Sequence, residues 1–255
     1  MNTQDIPLIE AEDKDKVRLL RLGKAPAHPL SRAMIRALHD QIRQALADTR
    51  INVIVLEGPG HIYCAGHDLK EIGRHRADPD HGRAYLVELF TECSALMQDI
   101  TLSPKPTIAM VDGIATAGGL QLAAACDLIF ASSRASFCLP GVKNGGFCTT
   151  PAVAVSRSLS RKHMMEMALS GDTFDADWAL SAGLVNRVFP SEQLSAATME
   201  FAQQIASYHS TAIADGKRML HDQLEMPLDR AYAEATEVMV GHFMDPVRIR
   251  AETNC

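Results

Sequence analysis

An α/β fold with mainly parallel strands is the class that this sequence predicts. Between residues 16 and 189, short β-branched runs alternate with segments whose apolar residues recur at helical spacing, which is typical of parallel strands joined by helices. One of the runs, Ile51 to Leu56, is almost continuously β-branched and apolar, as expected for a strand buried on both faces. From Ser191 onward the pattern is helical throughout, so a helical region is expected to follow the core.

The composition fits one large domain and argues against several classes of protein. The 255 residues are 47% hydrophobic and 22% charged, which is ordinary for a globular protein with a full core. A formal net charge of −6 argues against the broad basic surface that nucleic acid requires, and no apolar window is long enough to span a membrane. Met1 to Glu10 lack the patterns of secretory and mitochondrial leaders, so a cytoplasmic location is expected.

The cysteines give no sign of a metal or redox centre. They are scattered without a Cys-x-x-Cys pair, so neither a zinc ribbon nor a dithiol motif is predicted. Most are expected to be reduced, buried and apolar in character. They are Cys64, Cys93, Cys126, Cys138, Cys148 and Cys255.

The first half of the chain predicts two units of strand and helix. Lys16 to Leu22 is expected to be a strand, and Ser31 begins a helix with apolar residues at helical spacing. The buried run that follows is a second strand, and Asp68 opens a short helix whose first turn favours acidic residues. A polar stretch broken by Pro79 comes next, with two interpretations: a mobile lid or an ordinary solvated connection. A long helix is expected from about Arg83 to Ile100.

The second half repeats this alternation and then becomes helical. Thr107 to Val111 predicts a strand, and small apolar residues on almost all sides predict a buried helix from near Gly118. The chain returns as a strand over Asp127 to Ala131. The remaining core elements are helices over Arg161 to Leu169 and from Asp175, and a strand over Leu184 to Phe189. Three amphipathic segments that need the core or another subunit to pack against span about 191–208, 210–224 and 227–243.

Two glycine-containing loops carry the clearest functional signal. They are Cys64-Ala65-Gly66-His67-Asp68-Leu69 and Gly113-Ile114-Ala115-Thr116-Ala117-Gly118-Gly119. Two backbone N–H groups that converge there on one oxygen would stabilise a developing enolate or tetrahedral oxyanion, because such donors are already in position. The start of a buried helix favours this role, since its first N–H groups have no partner and its dipole is positive there. Plain turn chemistry is the alternative for each glycine taken alone.

Taken together, the two loops resemble the crotonase (enoyl-CoA hydratase/isomerase) superfamily. The resembling segments are 64–72 and 112–127, and segments 168–172 and 179–190 are similar to the end of that family's core. The resemblance implies a spiral of ββα units with a C-terminal helical region, trimers that commonly pair into hexamers, and an acyl-CoA thioester as substrate with no separate cofactor. Residues 1–195 are accordingly expected to form the acyl-CoA-binding core, and 196–255 a helical region for oligomerisation.

The resemblance also implies roles for single residues. It places the thioester carbonyl oxygen between the backbone N–H groups of His67 and Gly118. The side chain of His67 is not fixed by that role, and is interpreted either as an acid–base group or as a solvent-facing loop residue. Ala65 and Lys70 match positions that line the adenine and phosphate part of coenzyme A, and Lys217 is assigned a comparable part. For Lys70 and Lys217, the alternative is that each is an ordinary exposed lysine on a helix.

Two positions depart from the hydratases of that family, which carry glutamates where this chain has Gln121 and Gly141. Glutamine holds a water or a carbonyl but exchanges no proton near neutral pH, and glycine has no side chain to offer. Because a general acid–base group typically contributes about 10²–10⁴-fold to a rate, simple hydration is expected to be very weak. The neighbouring segment offers Cys148, Thr149 and Lys143 as reactive candidates, with a structural role as the alternative for Cys148.

Two classes of function follow. The first is an acyl-CoA-processing enzyme that stabilises an enolate or oxyanion and catalyses hydration, isomerisation or thioester hydrolysis. The second is a binding protein that holds acyl-CoA without chemistry, as a carrier, a sensor or a partner subunit. A nucleotide-binding oxidoreductase is less favoured, because Gly58-Pro59-Gly60 does not extend into G-x-G-x-x-G.

Overall fold

Two β-sheets with helices packed around them make up the molecule, in a computed structural model that describes residues 7–253. The strands are β1 (Ile9–Lys14), β2 (Val17–Leu22), β3 (Val53–Glu57), β4 (Ile62–Cys64), β5 (Thr107–Val111), β6 (Ile114–Thr116), β7 (Leu128–Ser132), β8 (Ser136–Cys138), β9 (Thr173–Asp175) and β10 (Arg187–Phe189). The helices are α1 (Arg32–Ala47), α2 (Leu69–Arg74), α3 (Arg83–Thr101), α4 (Gly118–Ala125), α5 (Thr149–Val155), α6 (Arg161–Ser170), α7 (Ala176–Ser181), α8 (Ser191–Ala206), α9 (Ser210–Gln223), α10 (Leu228–Phe243) and α11 (Pro246–Thr253).

From β3 to β8, consecutive strands alternate between the two sheets. The larger sheet has the order β1-β2-β3-β5-β7-β10, parallel except for β1, and the smaller has the order β4-β6-β8-β9, parallel except for β9. Each of the pairs β3 and β4, β5 and β6, and β7 and β8 gives one strand to each sheet and is followed by helix. The prediction of an α/β fold with mainly parallel strands is confirmed, and its repeating unit is ββα.

The smaller sheet is the main feature that the helical and strand periodicities do not predict. Its strands have three residues each, which is too short for a two-residue alternation to be visible. β4 and β6 lie beside the two glycine loops, so that these loops extend from the edge of a sheet. Short helix α5 and terminal helix α11 are likewise absent from the prediction.

The core lies on both faces of the larger sheet. Alternate residues of its strands point to opposite sides, so that Leu20 and Ile54 face the helices α1, α3 and α4, whereas Leu19 and Val53 face α8. Helix α8 covers this second face with Leu194, Met199, Ala202 and Ala206. The division expected at residue 195 therefore falls inside a helix that closes the core, and residues 254 and 255 lie outside the described chain.

The polar stretch before α3 packs onto that helix. His75 begins a 3₁₀ turn over His75–Ala77, stacks on the ring of Tyr85 with centroids 3.8 Å apart, and bonds through Nδ1 to Asp78 Oδ2 at 2.8 Å. These contacts fit an ordinary connection that is anchored to α3.

Within residues 7–253, no helix has the length and apolar character needed to cross a bilayer. The same range contains no cluster of three potential metal-ligating side chains. The cysteines from Cys64 to Cys148 are free thiols, and Cys255 lies outside the described residues.

Candidate active site

Parallel pairing of β4 with β6 brings the two glycine loops together. Cys64 pairs with Ala115, so the segments that follow both strands leave the sheet side by side. Gly66 has φ +83°, and a β-carbon there would lie 2.9 Å from the backbone nitrogen of Gly118. Only glycine permits both this conformation and this close approach. The backbones after Gly66 and before Gly118 therefore face the same small space.

Two backbone N–H groups beside that space have no acceptor among residues 7–253. Leu30 and His67 form a β-bridge through two hydrogen bonds. Leu30 N–H donates to Gly66 O at 2.8 Å, and Asp68 N–H donates to Leu30 O at 3.3 Å. The N–H of His67 takes no part in this bridge. Gly118 is the first residue of α4, where an N–H has no acceptor within the helix. The positive end of the α4 dipole therefore lies beside the loop at His67, an arrangement that favours a bound anion.

Ala117 holds the second donor in place with a strained backbone. Its φ of 50° and ψ of −118° fall outside the regions that residues with a β-carbon normally occupy. Its N–H donates to Cys138 O at 3.0 Å, and its own carbonyl accepts from Gln121 N–H at 3.0 Å. Strain of this kind costs on the order of 1–3 kcal/mol and persists only where the surrounding structure enforces it.

The imidazole of His67 lies against Gly118. Its Nδ1 and Cε1 are each 3.2 Å from the point that a β-carbon on Gly118 would occupy, and its ring meets Phe90 edge to face with centroids 5.1 Å apart. Nε2 is fully buried and has no hydrogen-bond partner in the described chain. Burial lowers the pKa of His67 to about 4, so the ring is neutral at pH 7. The expected alternative of a solvent-facing histidine does not agree with this placement.

Gln121 lies one turn further along α4, at the wall of a cleft. The residue is 5% exposed, and its Oε1 has no hydrogen-bond partner among the described residues. The cleft has a volume of about 720 Å³, within the range typical of small-molecule sites. Besides Gln121, it is lined by Ser94, Met97, Gln98, Thr101, Leu102, Thr150, Val153, Ala154, Arg157, His221, Asp222, Glu225, Met226 and Arg230.

One face of α3 joins the two parts of the site. Phe90, which contacts the imidazole, lies on the same helical face as Ser94, Met97 and Thr101, which line the cleft. Sequence reasoning does not single out these residues, nor Arg157 and Thr150 on and near α5. The sequence feature that could have identified the α3 residues is the helical spacing of Phe90, Met97 and Thr101. The same spacing is found on an ordinary core-facing helix.

Gly141 is packed too closely to carry any side chain. It lies in a 3₁₀ turn over Pro140–Asn144, and a β-carbon there would be 2.7 Å from Cys148 N and 3.0 Å from Cys148 Sγ. Burial raises the pKa of the Cys148 thiol, so it is protonated at neutral pH. Lys143 points away from the cleft to Asp172, with Nζ 2.7 Å from Oδ1. In this segment Thr150, rather than the expected Thr149, lines the cleft.

The residues expected to meet coenzyme A lie in two different places. Ala65 follows β4 and donates its N–H to Ala27 O at 2.9 Å, and Lys70 is an exposed residue in the first turn of α2. Ala65 is part of the first glycine loop, and Lys70 directly follows it. Lys217 is elsewhere, and its Nζ lies 2.5 Å from Asp127 Oδ2 and 3.4 Å from Lys105 O.

This placement of Lys217 differs from the expectation of a phosphate ligand. Asp127 follows the C-terminal end of α4, whereas Gly118 is at its N-terminal end. The lysine side chain is only 14% exposed, and an ammonium so far removed from water needs a carboxylate partner. Lys217 thus joins α9 to the core and is not presented at the mouth of the oxyanion site.

Comparison with known proteins gives consistent matches along nearly the whole chain. A family profile described as Enoyl-CoA hydratase/isomerase matches residues 12–251. Enoyl-CoA hydratase domain-containing protein 3, mitochondrial, from Mus musculus is 41% identical over 236 residues, which are 92% of this chain and 77% of the relative.

Solved structures agree with these sequence matches. The crystal structure of an enoyl-CoA hydratase/isomerase family protein from Silicibacter pomeroyi is 57% identical, with a TM-score of 0.89 over 94% of this chain and 100% of that one. That of human enoyl Coenzyme A hydratase domain-containing protein 3 is 35% identical, with a TM-score of 0.90 over 97% and 96% of the two chains.

Proposed function

The chain belongs to the enoyl-CoA hydratase/isomerase family, and on this premise we propose that it binds an acyl-CoA thioester and stabilises its enolate or oxyanion with two backbone N–H groups. The donors are those of His67 and Gly118. The observation that carries the proposal is the close approach of the loops at His67 and Gly118, whose N–H groups have no acceptor among the described residues, next to Gln121 at the cleft wall.

The chemistry follows from the thioester itself. Removing a proton from the carbon next to its carbonyl, or adding a nucleophile to the carbonyl, moves negative charge onto one oxygen. Two N–H groups fixed by the backbone meet that charge without reorganising, and each such donor is worth roughly 2.7–4 kcal/mol of transition-state stabilisation. The strained Ala117 fits this role, because strain is stored where an element must be held in one position.

Hydration by two carboxylates is not the proposed reaction. Gln121 cannot exchange a proton near neutral pH, and Gly141 has no room for a side chain. Enolate formation, with exchange of the proton next to the carbonyl or a shift of a double bond, needs only one acid–base group and is the reaction that this site favours.

A non-catalytic acyl-CoA-binding protein is the second candidate. This candidate is supported by the close contact between Gly141 and Cys148, which leaves no space for an acid–base side chain at residue 141. Thioester hydrolysis is the third candidate, since the same N–H pair would hold the tetrahedral oxyanion formed by attack of water. Both share the ligand with the first proposal and differ from it in what happens to the bound thioester.

We also propose which residues contact coenzyme A and how the subunits assemble. Ala65 and Lys70 are proposed to line the adenine and phosphate part of the ligand, since both adjoin the oxyanion loop. A homotrimer or a dimer of trimers is proposed because α9 and α10 expose a large apolar surface. Its members are Leu220, Leu224, Leu228, Tyr232, Met239, Val240 and Phe243. A cytoplasmic location stays a prediction.

Mass spectrometry of butyryl-CoA and crotonyl-CoA after incubation with the protein in D₂O tests the proposal. We expect deuterium at the carbon next to the carbonyl of butyryl-CoA and little water addition to crotonyl-CoA. Free coenzyme A would favour the hydrolase. Bound but unchanged thioesters would favour the non-catalytic protein, and rapid hydration of crotonyl-CoA would contradict a mechanism that relies on enolate formation alone.

A further inference from the structure

Three positions near the proposed oxyanion site supply no base, although the titratable side chains of His221, Asp222 and Glu225 line the cleft. Gln121 has no titrating group, Gly141 has no side chain, and the thiol of Cys148 is held protonated by burial. Among the described residues, the side chain nearest to a β-carbon position on Gly118 is the imidazole of His67.

The position of this ring suits proton transfer. Nδ1 lies on the side of the ring that faces Gly118, 3.2 Å from the β-carbon position there. A thioester oxygen that accepts from Gly118 N–H at about 2.9 Å has its α-carbon only two bonds away. The ring and the carbon that loses its proton are therefore neighbours when the carbonyl is bound. Phe90 meets the ring edge to face, with centroids 5.1 Å apart.

We propose that the imidazole of His67 is the catalytic base and acid of this site, with its lone pair on Nδ1 and its proton on Nε2. This inference rests on the proposed enolate chemistry and adds the residue that carries the proton. The same residue then serves twice: its backbone N–H holds the oxygen, and its side chain works on the neighbouring carbon.

The proposed step is balanced in protons and electrons. Nδ1 takes the proton from the α-carbon, the electron pair of that C–H bond forms the carbon–carbon double bond of the enolate, and the carbonyl pair moves onto the oxygen. The imidazolium exchanges its Nδ1 proton with solvent and returns a solvent-derived proton to the α-carbon, which gives exchange at that carbon. Alternatively, in a thioester whose double bond lies between its β- and γ-carbons, it returns the proton to the γ-carbon, which moves the double bond. No water is added and no oxidant is required.

The basicity of the ring supports this role. Burial lowers the pKa of His67 to about 4, which is close to the ordinary pKa of about 4.3 for a glutamate. The ring is therefore in its basic form at neutral pH, and its strength as a base matches that of the carboxylates which the resembled hydratases use. A solvated histidine, with a pKa of about 6.5, would be a stronger base but would be partly protonated at neutral pH.

His67→Ala isolates the side chain, because the variant keeps the backbone N–H at residue 67. His163→Ala is the matched control, since that histidine also meets an aromatic ring edge to face, with centroids 5.5 Å from Trp178, and also has a buried nitrogen without a partner. His67→Gln is the second variant, for the case that the smaller side chain disturbs folding. Two readouts are needed: α-deuteration of butyryl-CoA in D₂O, and the absorbance shift of bound hexa-2,4-dienoyl-CoA, whose conjugated carbonyl reports the hydrogen bonds to its oxygen.

We expect His67→Ala to lose deuteration by about 10²-fold or more while keeping the absorbance shift, and His163→Ala to match the wild type in both. Deuteration at the wild-type rate in His67→Ala overturns the role of the imidazole and leaves the oxyanion proposal intact. Joint loss of deuteration and of the absorbance shift, in both His67 variants, assigns the ring a structural role and also overturns it. A wild-type protein that binds butyryl-CoA without deuterating it removes the proposed function, and this inference with it.

Discussion

A β-carbon on Gly141 would lie 2.7 Å from the backbone nitrogen of Cys148. The position at which the resembled hydratases carry a glutamate thus admits no side chain in this backbone. The turn over Pro140–Asn144 and the start of α5 are packed around this glycine. Any side chain at residue 141 therefore requires this segment to rearrange.

Restoring the glutamate is expected to fail. Gly141→Glu should lower the free energy of unfolding by about 1–3 kcal/mol, because the backbone at Cys148 must move to admit it, and should give no hydration of crotonyl-CoA. Urea unfolding and the absorbance of the enoyl thioester measure the two effects. Gly146→Ala is the control, since a β-carbon there has only one neighbour, Gly141 O at 3.9 Å. A stable Gly141→Glu protein that hydrates crotonyl-CoA would contradict this packing.

The buried amide of Gln121 is expected to lower the stability of the free protein and to strengthen ligand binding. Its Oε1 is unpartnered in the described chain, and an unsatisfied buried polar atom costs about 1–3 kcal/mol. Gln121→Leu should therefore leave the free protein as stable as the wild type or raise its melting temperature by roughly 2–4 °C for each kcal/mol recovered. At the same time it should weaken binding of butyryl-CoA.

Differential scanning calorimetry and fluorescence titration with butyryl-CoA measure these two effects of Gln121→Leu. Gln98→Leu is the comparison, because Gln98 lines the same cleft but is exposed and bonds to Ser94. If Gln121→Leu lowers the melting temperature and leaves affinity unchanged, the amide is a structural group and not a ligand contact.

The backbone strain at Ala117 predicts a gain of stability on removing a side chain. At φ 50° and ψ −118°, glycine is favoured over alanine, so Ala117→Gly should raise the free energy of unfolding by about 1 kcal/mol, after the entropy that glycine loses on folding. Deuteration of butyryl-CoA should fall, since Gly118 N–H is then held less firmly. Ala182→Gly is the control and should lower the free energy of unfolding, because Ala182 has φ −79° and follows helix α7. Destabilisation by Ala117→Gly would show that the strain is not relieved by glycine.

The pH dependence of stability should report the buried imidazole. The folded protein protonates His67 only below about pH 4, whereas the unfolded chain protonates it below about 6.5. Between these values the unfolded state binds more protons, so stability falls as the pH is lowered from 6.5 toward 4, by up to about 3 kcal/mol.

Carboxylates such as Glu92, whose pKa is lowered to about 2 by Arg32 and Arg36, titrate at lower pH, and the difference between the wild type and His67→Ala from pH 5 to 6.5 reports this histidine. Urea midpoints measured across that range should decline in the wild type and in His163→Ala. They should be flatter in His67→Ala, and an equal slope in all three proteins would assign the dependence to other groups.

The sequence predicts five of the six strands of the larger sheet and most helices, because their residues alternate or recur at a regular spacing, whereas β1 is not predicted. Ser31 and Asp175 cap α1 and α7 as predicted, each accepting from a backbone N–H three residues on. The smaller sheet and the cleft are not predictable in this way, since a three-residue strand has no visible period and the cleft walls come from α3, α4, α5, α9 and α10. The environment of His67 depends on Phe90, which is a contact between distant parts of the chain.

Two lysines that the sequence treats alike are expected to behave differently. Lys217 is joined to Asp127, whose Oδ2 also accepts from Thr107 N–H at 2.7 Å and Thr107 Oγ1 at 2.9 Å. Lys217→Met leaves that carboxylate with one partner fewer and should destabilise the protein by about 1–3 kcal/mol, because the pair is mostly shielded from water. Hydrogen exchange should rise in α9, since this ion pair attaches the helix to the core.

Lys70→Met should do the reverse. The side chain is exposed, so stability should change by less than about 0.5 kcal/mol. Affinity for butyryl-CoA should fall, and the salt dependence of binding should weaken, because a screened contact with a phosphate is lost. Calorimetric titration of both variants at low and high salt separates the roles. Unchanged affinity in Lys70→Met together with a salt-dependent loss in Lys217→Met would place the phosphate at α9, which requires the Lys217–Asp127 pair to open when coenzyme A binds.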